Sequence, residues 1–300
     1  MDGIFNINKP RGKTSFKIVA LVRRLSGEKH VGHAGTLDPD ATGVLPVCLG
    51  RGTRVIEYLM DTTKSYRARI EFGASTDTYD ASGRITQEGD VSPLNRQTVE
   101  TALEKFRGDI EQIPPMYSAV KHQGQPLYKL AREGITIERK KRKVTLHHLK
   151  LVYWRKPVAT VDIECSKGTY VRSLANDLGE DLGCGAHLKN LVRTRCGDFN
   201  IDDAISVPEL RQTFRQGNWE QFLQPIDIVL RDFPSIVVDD VGENDIKNGK
   251  RLTPSQIQTD EALAEYSSKY CRAYAEDGRF LGILCRTQEK GVWQPKKVFI

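Results

Sequence analysis

The stretch with the clearest chemical potential is residues 32–46, GHAGTLDPDATGVLP, which holds a histidine, two aspartates and two prolines. This composition is unfavourable for a helix and too irregular for a strand, so it predicts a loop. Within it, Asp38 precedes Pro39, and a following proline favours an extended backbone. A carboxylate held rigidly in such a loop can act as a nucleophile or a general base. A turn-forming or capping aspartate explains the same residues, and these residues alone favour that simpler interpretation.

Asp40 is a second carboxylate in the same loop, two positions after Asp38. In an extended backbone, residues i and i+2 point the same way, so the two carboxylates could lie close together. A pair of carboxylates is the catalytic arrangement of most glycoside hydrolases, so this pair keeps that reaction class open. No other feature of the sequence supports it.

Three further side chains fit a site around this loop. Tyr66 occupies the inward side of an alternating segment, where a core aromatic is the ordinary interpretation. Arg172 falls in the first turn of a predicted helix, one position off the apolar stripe, and an exposed helix arginine is the ordinary interpretation there. If Arg172 is partly buried it needs an anion, and Asp38 would supply one in a bidentate pair. His33 either forms a hydrogen bond within the loop or stacks on a nucleobase.

These residues must be positioned by helices and strands that the hydrophobic periodicity predicts. The spacing of apolar residues predicts helices over residues 13–25, 99–108 and 170–183. Alternation of apolar and polar residues predicts strands over residues 65–73 and 160–166. Helices and strands interleaved in this way favour a mixed sheet with packed helices.

Residues 114–134 differ from their surroundings, because they are rich in Pro, Gly, Lys and Arg with Tyr117 and Tyr128 interleaved. A basic run over residues 139–143 follows. We expect an exposed flap here, and its basic run is ordinarily a solvated edge. Aromatic side chains within a basic segment favour contact with RNA.

The overall composition excludes several protein classes. Hydrophobic residues make up 39% of the chain and charged residues 28%, which is typical of a globular protein with a buried core. No apolar run approaches the length of a membrane helix, and we expect no signal peptide. The six cysteines form no CxxC pair, so they predict reduced thiols in a cytoplasmic protein. RGKTS at 11–15 resembles the end of a phosphate-binding loop, but Ile7 replaces the required glycine.

The charge distribution separates the chain into two parts. Residues 231–300 hold 11 Lys and Arg against 11 Asp and Glu, so the net charge of +6 falls entirely within the first 230 residues. A basic excess hints at a polyanionic partner, although it is weak evidence alone. Beyond residue 230, short strand-like pieces such as SIVVDDV and VWQPKKVFI predict a small β module.

Five long blocks of the sequence span roughly residues 3–200. They are GIFNINKPRGKTS, GHAGTLDPDATGVLPVCLG, KSYRARIEFGASTDTYDASG, IPPMYSAVKHQGQPLYKLAREG and CSKGTYVRSLANDLGEDLGCGAHLKNLVRTRCG. In content and in order, these blocks resemble the TruB-type tRNA pseudouridine synthases. The last 70 residues resemble, less specifically, the family's small PUA-like RNA-binding domain.

The resemblance implies a fold and a division into domains. The fold is α+β, with a mixed, mostly antiparallel sheet, flanking helices and an inserted thumb segment, followed by the small β domain. We expect a catalytic domain over residues 1–230, with the thumb at about 117–143, and a PUA-like domain over residues 231–300.

The resemblance also implies an activity, which is isomerisation of the uridine at position 55 in the tRNA T-arm. The base would be flipped out of the RNA, detached from nitrogen 1 and re-attached through carbon 5. Asp38 matches the family's nucleophilic aspartate, and Arg172 matches the arginine that pairs with it. Tyr66 matches the tyrosine that packs on the base and helps remove the carbon 5 proton. Beside Arg172, Asp38 is expected to stay ionised.

Further residues gain roles from the same resemblance. His33 fills the space left by flipped nucleotides, Leu191 forms part of the pocket wall, and Lys9 belongs to a motif that supports the aspartate loop. The other expected substrate-binding residues are Gly35, Thr36, Leu37, Lys64 and Tyr170. The expected RNA contacts in the thumb are Tyr117, Lys121, Tyr128, Arg132, Arg139 and Lys140.

The partners follow from this assignment. We expect tRNA as the substrate, with no cofactor, metal, membrane or obligatory protein partner, and a monomer. Asp40 departs from the family's pattern and is expected to point away from the RNA. The alternatives are a non-catalytic tRNA-binding or folding chaperone, and a glycoside hydrolase that uses Asp38 and Asp40.

Overall fold

The computed structural model describes residues 1–258 and 268–300, which form two main β-sheets flanked by helices. The strands are, in chain order, β1 Gly3–Lys9, β2 Val31–His33, β3 Thr42–Leu49, β4 Lys64–Phe72, β5 Ala74–Thr76, β6 Ile85–Glu88, β7 Gly108–Gln112, β8 Lys121–His122, β9 Gln125–Pro126, β10 Arg142–Arg155, β11 Val158–Cys165, β12 Ala186–Cys196, β13 Phe199–Asn200, β14 Ile205–Ser206, β15 Leu223–Gln224, β16 Ser235–Val238, β17 Ile257–Gln258, β18 Tyr270–Ala275, β19 Phe280–Arg286 and β20 Trp293–Val298. The α-helices are α1 Ser15–Ser26, α2 Ile56–Asp61, α3 Arg96–Glu104, α4 Leu127–Arg132, α5 Val171–Asp181, α6 Val207–Gln216 and α7 Asp240–Lys247.

The larger sheet has 11 strands, with the main order β14-β1-β3-β12-β4-β11-β10-β7. Its pairs are antiparallel except for β1 with β14 and β3 with β12. The predicted α+β fold with a mixed, mostly antiparallel sheet is therefore confirmed. No helix among the described residues is long and apolar enough to cross a membrane.

The helices begin and end where local chemistry dictates. Thr14 caps α1 by accepting a hydrogen bond from the backbone of Lys17, and Gly27 ends it in the left-handed conformation. One face of α1 is buried, as its apolar spacing predicts. The predicted strand at 65–73 corresponds to β4, and the predicted helix at 170–183 corresponds to α5.

The two halves of the larger sheet meet at a narrow junction between β3 and β12. Two parallel pairs join these strands, Val192 with Thr42 and Arg193 with Gly43. Gly43 has a φ of 101°, and a Cβ there would lie 2.2 Å from the backbone oxygen of Arg193. Only glycine permits this approach. Because β3 begins at Thr42, the first half of β12 extends past it, and a cleft lies between that half and the loop that precedes β3.

The largest part of the core lies between α5 and the strands β4 and β11. Ala68 and Ile70 of β4 and Val161 of β11 pack with Leu174 and Leu178 of α5. A second cluster packs α1 against β1 and β3. Tyr66 and Leu191 contact both clusters, so they lie where the two halves of the core meet.

The smaller sheet contains the last part of the chain, in the order β17-β16-β18-β19-β20. A small β domain at this end is as predicted, while its boundary at residue 231 stays a prediction. Residues 259–267 of that range lie outside the described residues. The segment SIVVDDV is strand only as far as Val238, because Asp239 caps α7, a helix that the sequence analysis missed.

The six cysteines are all free, and five of them are buried. This agrees with the expectation of reduced thiols.

The close approach at Gly43 gives a test of the junction. Gly43→Ala should lower the free energy of unfolding by at least about 2 kcal/mol more than Gly27→Ala, because the new methyl group collides with backbone. Gly27 is a matched control, since it also has positive φ, at 69°, but a Cβ there meets nothing within 4 Å. Urea denaturation of both variants measures the difference. Equal losses would show that the junction tolerates a side chain.

Candidate active site

The loop that carries Asp38 runs from β2 to β3 and is held by the start of α1. Ser15 Oγ accepts a hydrogen bond from the backbone nitrogen of Leu37 at 2.9 Å and donates one to its carbonyl oxygen at 3.2 Å. The backbone nitrogen of Gly12 donates to the carbonyl oxygen of Pro39 at 2.8 Å. Leu37 itself is buried in the core. These contacts fix the backbone on both sides of Asp38.

Lys9 supports the same loop from beneath. Its ammonium is fully buried and donates to the carbonyl oxygens of Pro10, Lys13 and Pro39 at 3.1, 2.6 and 3.1 Å. Burial lowers the pKa of Lys9 to about 8, although Asp38 and Asp40 nearby oppose this shift. All three donors are used on backbone, so the geometry favours support of the loop over direct substrate contact.

Arg172 lies in the first turn of α5 and is only 6% exposed. Its Nε lies 3.0 Å from Asp38 Oδ2, and its Nη2 lies 3.2 Å from Asp38 Oδ1. These two contacts form the bidentate pair that was expected if Arg172 is buried beside Asp38. Nη2 also donates to the carbonyl oxygen of Tyr117 at 2.8 Å, which ties the base of the thumb to the site.

Asp80 is a second carboxylate beside Arg172, and the sequence analysis missed it. Its Oδ2 lies 3.4 Å from Arg172 Nη1, and its Oδ1 accepts hydrogen bonds from Thr78 Oγ1 and from the backbone and hydroxyl of Ser82. Tyr79, which precedes it, has a φ of 63°. In the sequence, TDTYDAS suggests an ordinary turn, so nothing in it signals a partner more than 90 positions away.

The electrostatics of Asp38 are set by burial and by these neighbours. Burial raises the pKa of Asp38, the Arg172 guanidinium lowers it, and the like charge of Asp80 raises it again. The net direction is upward. Arg172 thus orients the Asp38 carboxylate, while burial and Asp80 make that carboxylate more basic than an exposed aspartate.

Tyr66 lies on the core side of β4, directly across from Arg193 on β12. Burial raises the pKa of Tyr66 to about 12, while the guanidinium of Arg193 beside it acts in the opposite direction. Arg193 is 1% exposed and donates to the carbonyl oxygens of Val44 and Gly35 at 2.7 and 3.1 Å. The sequence analysis missed Arg193, although the step of two positions from Leu191 along one strand would have placed it on the inner face.

The remaining predicted loop residues differ in what their atoms contact. His33 is partly buried, and its Nδ1 has no hydrogen-bond partner among the described residues. Burial lowers the pKa of His33, which favours the neutral ring at pH 7. Gly35 uses its carbonyl on Arg193, and Thr36 is exposed. Leu191 lines the same pocket as Asp38.

Two of the predicted substrate-binding residues, Lys64 and Tyr170, make contacts within the protein. The ammonium of Lys64 donates to the carbonyl oxygens of Leu59, Met60 and Thr62 at the end of α2. All its donors are used there, so this geometry does not favour contact with substrate. The backbone of Tyr170 exchanges hydrogen bonds with the side chain of Gln112 at the start of α5.

The thumb contains β8, β9 and α4, and its predicted RNA contacts fall into two groups. Lys121, Arg132 and Lys140 are exposed. Tyr117, Tyr128 and Arg139 are partly buried; Arg132 lies over the Tyr128 ring at 5.4 Å, and Arg139 donates to the carbonyl oxygen of Pro114.

A pocket of about 140 Å³ lies between the first half of β12 and the loop that precedes β3. Asp38, Asp80, Arg172 and Leu191 all line it. Asp40 also reaches its rim, where it is exposed and pairs with exposed Arg11 at 3.1 Å. Among residues 1–258 and 268–300, no group of three or more His, Cys, Asp or Glu side chains converges as a metal site would require.

Two family models match the chain. The model described as TruB family pseudouridylate synthase (N terminal domain) matches residues 23–171. The model described as tRNA pseudouridylate synthase B C-terminal domain matches residues 172–231. The two matches together include Asp38, Tyr66 and Arg172.

Relatives extend the similarity over the whole chain. A protein named tRNA pseudouridine synthase B from Dehalococcoides mccartyi (strain CBDB1) is 45% identical over 300 residues, covering 100% of this chain and 97% of the relative. A protein of the same name from Haemophilus influenzae (strain ATCC 51907 / DSM 11121 / KW20 / Rd) is 39% identical, covering 96% and 91%. A chain of the crystal structure of a Cbf5-Nop10-Gar1 complex superposes with a TM-score of 0.76 at 24% identity, covering 99% of this chain and 85% of that chain. That likeness is one of fold.

The charge balance around Arg172 predicts a large effect on stability. Arg172→Met should lower the free energy of unfolding by about 3–5 kcal/mol, because it leaves two carboxylates without their cation. Arg67→Met is the control, since Arg67 forms a bidentate pair with Asp162 at an exposed position and should cost less than about 1 kcal/mol. Urea denaturation of both variants compares them. If Arg172→Met lowered the free energy of unfolding no more than Arg67→Met, the idea that Arg172 neutralises Asp38 and Asp80 would be contradicted.

Proposed function

Because the chain belongs to the TruB family of pseudouridylate synthases, we propose that it isomerises the uridine at position 55 in the T-arm of tRNA. The observation that carries this proposal is the bidentate pair of Asp38 and Arg172 inside the pocket between β12 and the loop that precedes β3. The pair supplies one oriented carboxylate, which is what a nucleophilic isomerisation requires. We further propose that the protein acts in the cytoplasm as a monomer.

The reaction balances without any added reactant. The bond from C1′ of the ribose to N1 of the base breaks, and a bond from C1′ to C5 forms. The proton on C5 leaves, and N1 gains one. Asp38 provides the nucleophile, at C1′ of the ribose or at C6 of the base, and both routes need the same ionised oxygen.

The uridine must leave its RNA stack before Asp38 can reach it. Flipping costs a few kcal/mol, which stacking and phosphate contacts offset. We assign the space-filling role in the RNA to His33, whose neutral ring suits stacking, and the apolar wall beside the base to Leu191. The exposed cations Lys121, Arg132 and Lys140 of the thumb suit phosphate contacts.

In the free enzyme, Tyr66 is not ready to remove the C5 proton. With a pKa of about 12 its hydroxyl is protonated at neutral pH, so it is no base before substrate binds. We assign it to packing against the uracil ring. Transfer of the C5 proton to Tyr66 would require its pKa to fall when the base is bound, and Arg193 acts in that direction.

Tritium release tests the proposed reaction. T-arm RNA labelled at carbon 5 of the target uridine should lose tritium with the wild type, whereas Asp38→Asn should reduce release by at least about 10³-fold, because the amide is no nucleophile. Absence of release by the wild type, with RNA binding intact, would remove the enzymatic assignment and leave the non-catalytic binder.

Asp40→Asn is the matched control for the same assay. Asp40 pairs with Arg11 at the exposed rim, so its loss should change the rate less than about threefold. A glycoside hydrolase that uses both aspartates would instead lose activity in either variant and release free base.

The pH dependence of the reaction should report on Asp38. Only the ionised carboxylate is active, so kcat/KM should fall on the acid side with an apparent pKa above 3.8, the ordinary aspartate value. Asp80→Asn removes the like charge that raises the pKa of Asp38, so its acid limb should move to lower pH. Rate profiles of both proteins measure the shift. An unmoved or upward-shifted limb would contradict this charge arrangement.

A further inference from the structure

On the half of the larger sheet formed by β4, β11 and β12, the face opposite α5 carries more basic than acidic side chains. Along β4, Ala68 and Ile70 enter the core, so Arg69 and Glu71 point to the opposite face. An antiparallel sheet commonly has one solvated face with charges of both signs. Here the acids that share this face are all paired: Asp162 with Arg67, Glu164 with Arg195, and Glu71 with Lys189.

A groove of about 400 Å³ crosses this face and holds the cations that remain. Arg69 and Arg155 are exposed, and neither forms an ion pair or a side-chain hydrogen bond within the part of the chain that the structure describes. Lys156 lies beside them and donates only to the carbonyl oxygen of Ser92. Tyr153, 57% exposed, adds an aromatic surface to the same groove. Unpaired cations around an exposed ring are suited to a polyanion with stacking groups.

The groove joins the candidate active site at one residue. Lys189 lines both the groove and the pocket that contains Asp38. It sits at an irregularity of β12, where the register against β4 shifts between Leu188 and Asn190. The pairing of β12 with β3 begins only at Val192, so this stretch of β12 borders the cleft. An RNA in the pocket can therefore pass over Lys189 to the outer face.

We propose that this groove is a second RNA-binding surface, which holds backbone phosphates of tRNA outside the T-arm. The inference rests on the proposed function, because that function places the T-arm in the pocket on the helical side. The groove and the pocket open on opposite faces of the sheet and share only Lys189 among their lining residues. The phosphates that reach Arg69 and Arg155 therefore belong to another part of the same tRNA.

Binding measurements with two RNAs test this inference. The double variant Arg69→Gln/Arg155→Gln removes two unpaired, exposed charges without touching the core. Its Kd for full-length tRNA in 0.1 M salt should rise about tenfold or more, and the slope of log K against log salt should fall by about 1.5 to 2. Its Kd for the isolated T-arm stem-loop should change by less than about twofold.

The matched control is Arg211→Gln/Arg215→Gln on α6. Both arginines are exposed, and α6 packs near β1 at the other end of the sheet. The control removes the same net charge, so it should leave the Kd for both RNAs within about twofold of the wild type. A control that weakens full-length tRNA as much as the groove variant would overturn the inference, since the effect would then be one of overall charge.

Two other outcomes would overturn it as well. Unchanged affinity and salt slope for full-length tRNA would mean that the groove serves another anion, such as an acidic protein segment. Equal loss for tRNA and the isolated T-arm would place the contact within the T-arm. The binding measurements test the groove, and tritium release by the wild type tests the proposed reaction. A failure of one proposal is therefore distinguishable from a failure of the other.

Discussion

The guanidinium of Arg172 is the contact on which the geometry of the site depends. It is buried, so it must be surrounded by acceptors, and it finds them on three separate segments of the chain. These are the carboxylate of Asp38, the turn that carries Thr78 and Asp80, and the carbonyl of Tyr117 at the base of the thumb. A single cation at the start of α5 thereby fixes the positions of the Asp38 carboxylate, the turn at Thr78 and Asp80, and the base of the thumb relative to one another.

Two further buried cations repeat this principle on the backbone. Lys9 joins the turn at Pro10 and Lys13 to Pro39, directly after Asp38. Arg193 joins Gly35, which precedes Asp38, to Val44 of β3. Each satisfies polar backbone that would otherwise be buried without partners. As a result the loop is rigid although it contains little regular structure, and Asp38 can be reactive without being mobile.

Sequence reasoning reached the parts of this arrangement that depend on local pattern. Periodicity predicted α1, α5 and β4. From the residues alone an exposed Arg172 was the ordinary interpretation, and its pairing with Asp38 was predicted by the resemblance to the family. Asp80 was missed because its turn chemistry is complete locally, so no unsatisfied group signals a distant partner. Arg193 was missed because its burial depends on the register between β12 and β4, which only the folded sheet defines. The roles of these residues in catalysis rest on the family and on the experiments above.

The junction at Gly43 has a mechanical consequence. Hydrogen bonding within the larger sheet passes from one half to the other through two residue pairs, so the sheet is least stiff at the place where the pocket opens. Bending there disturbs few hydrogen bonds, whereas bending elsewhere would break long ladders such as that between β10 and β11. Bending at this junction would change the width of the cleft while each half of the sheet keeps its own shape.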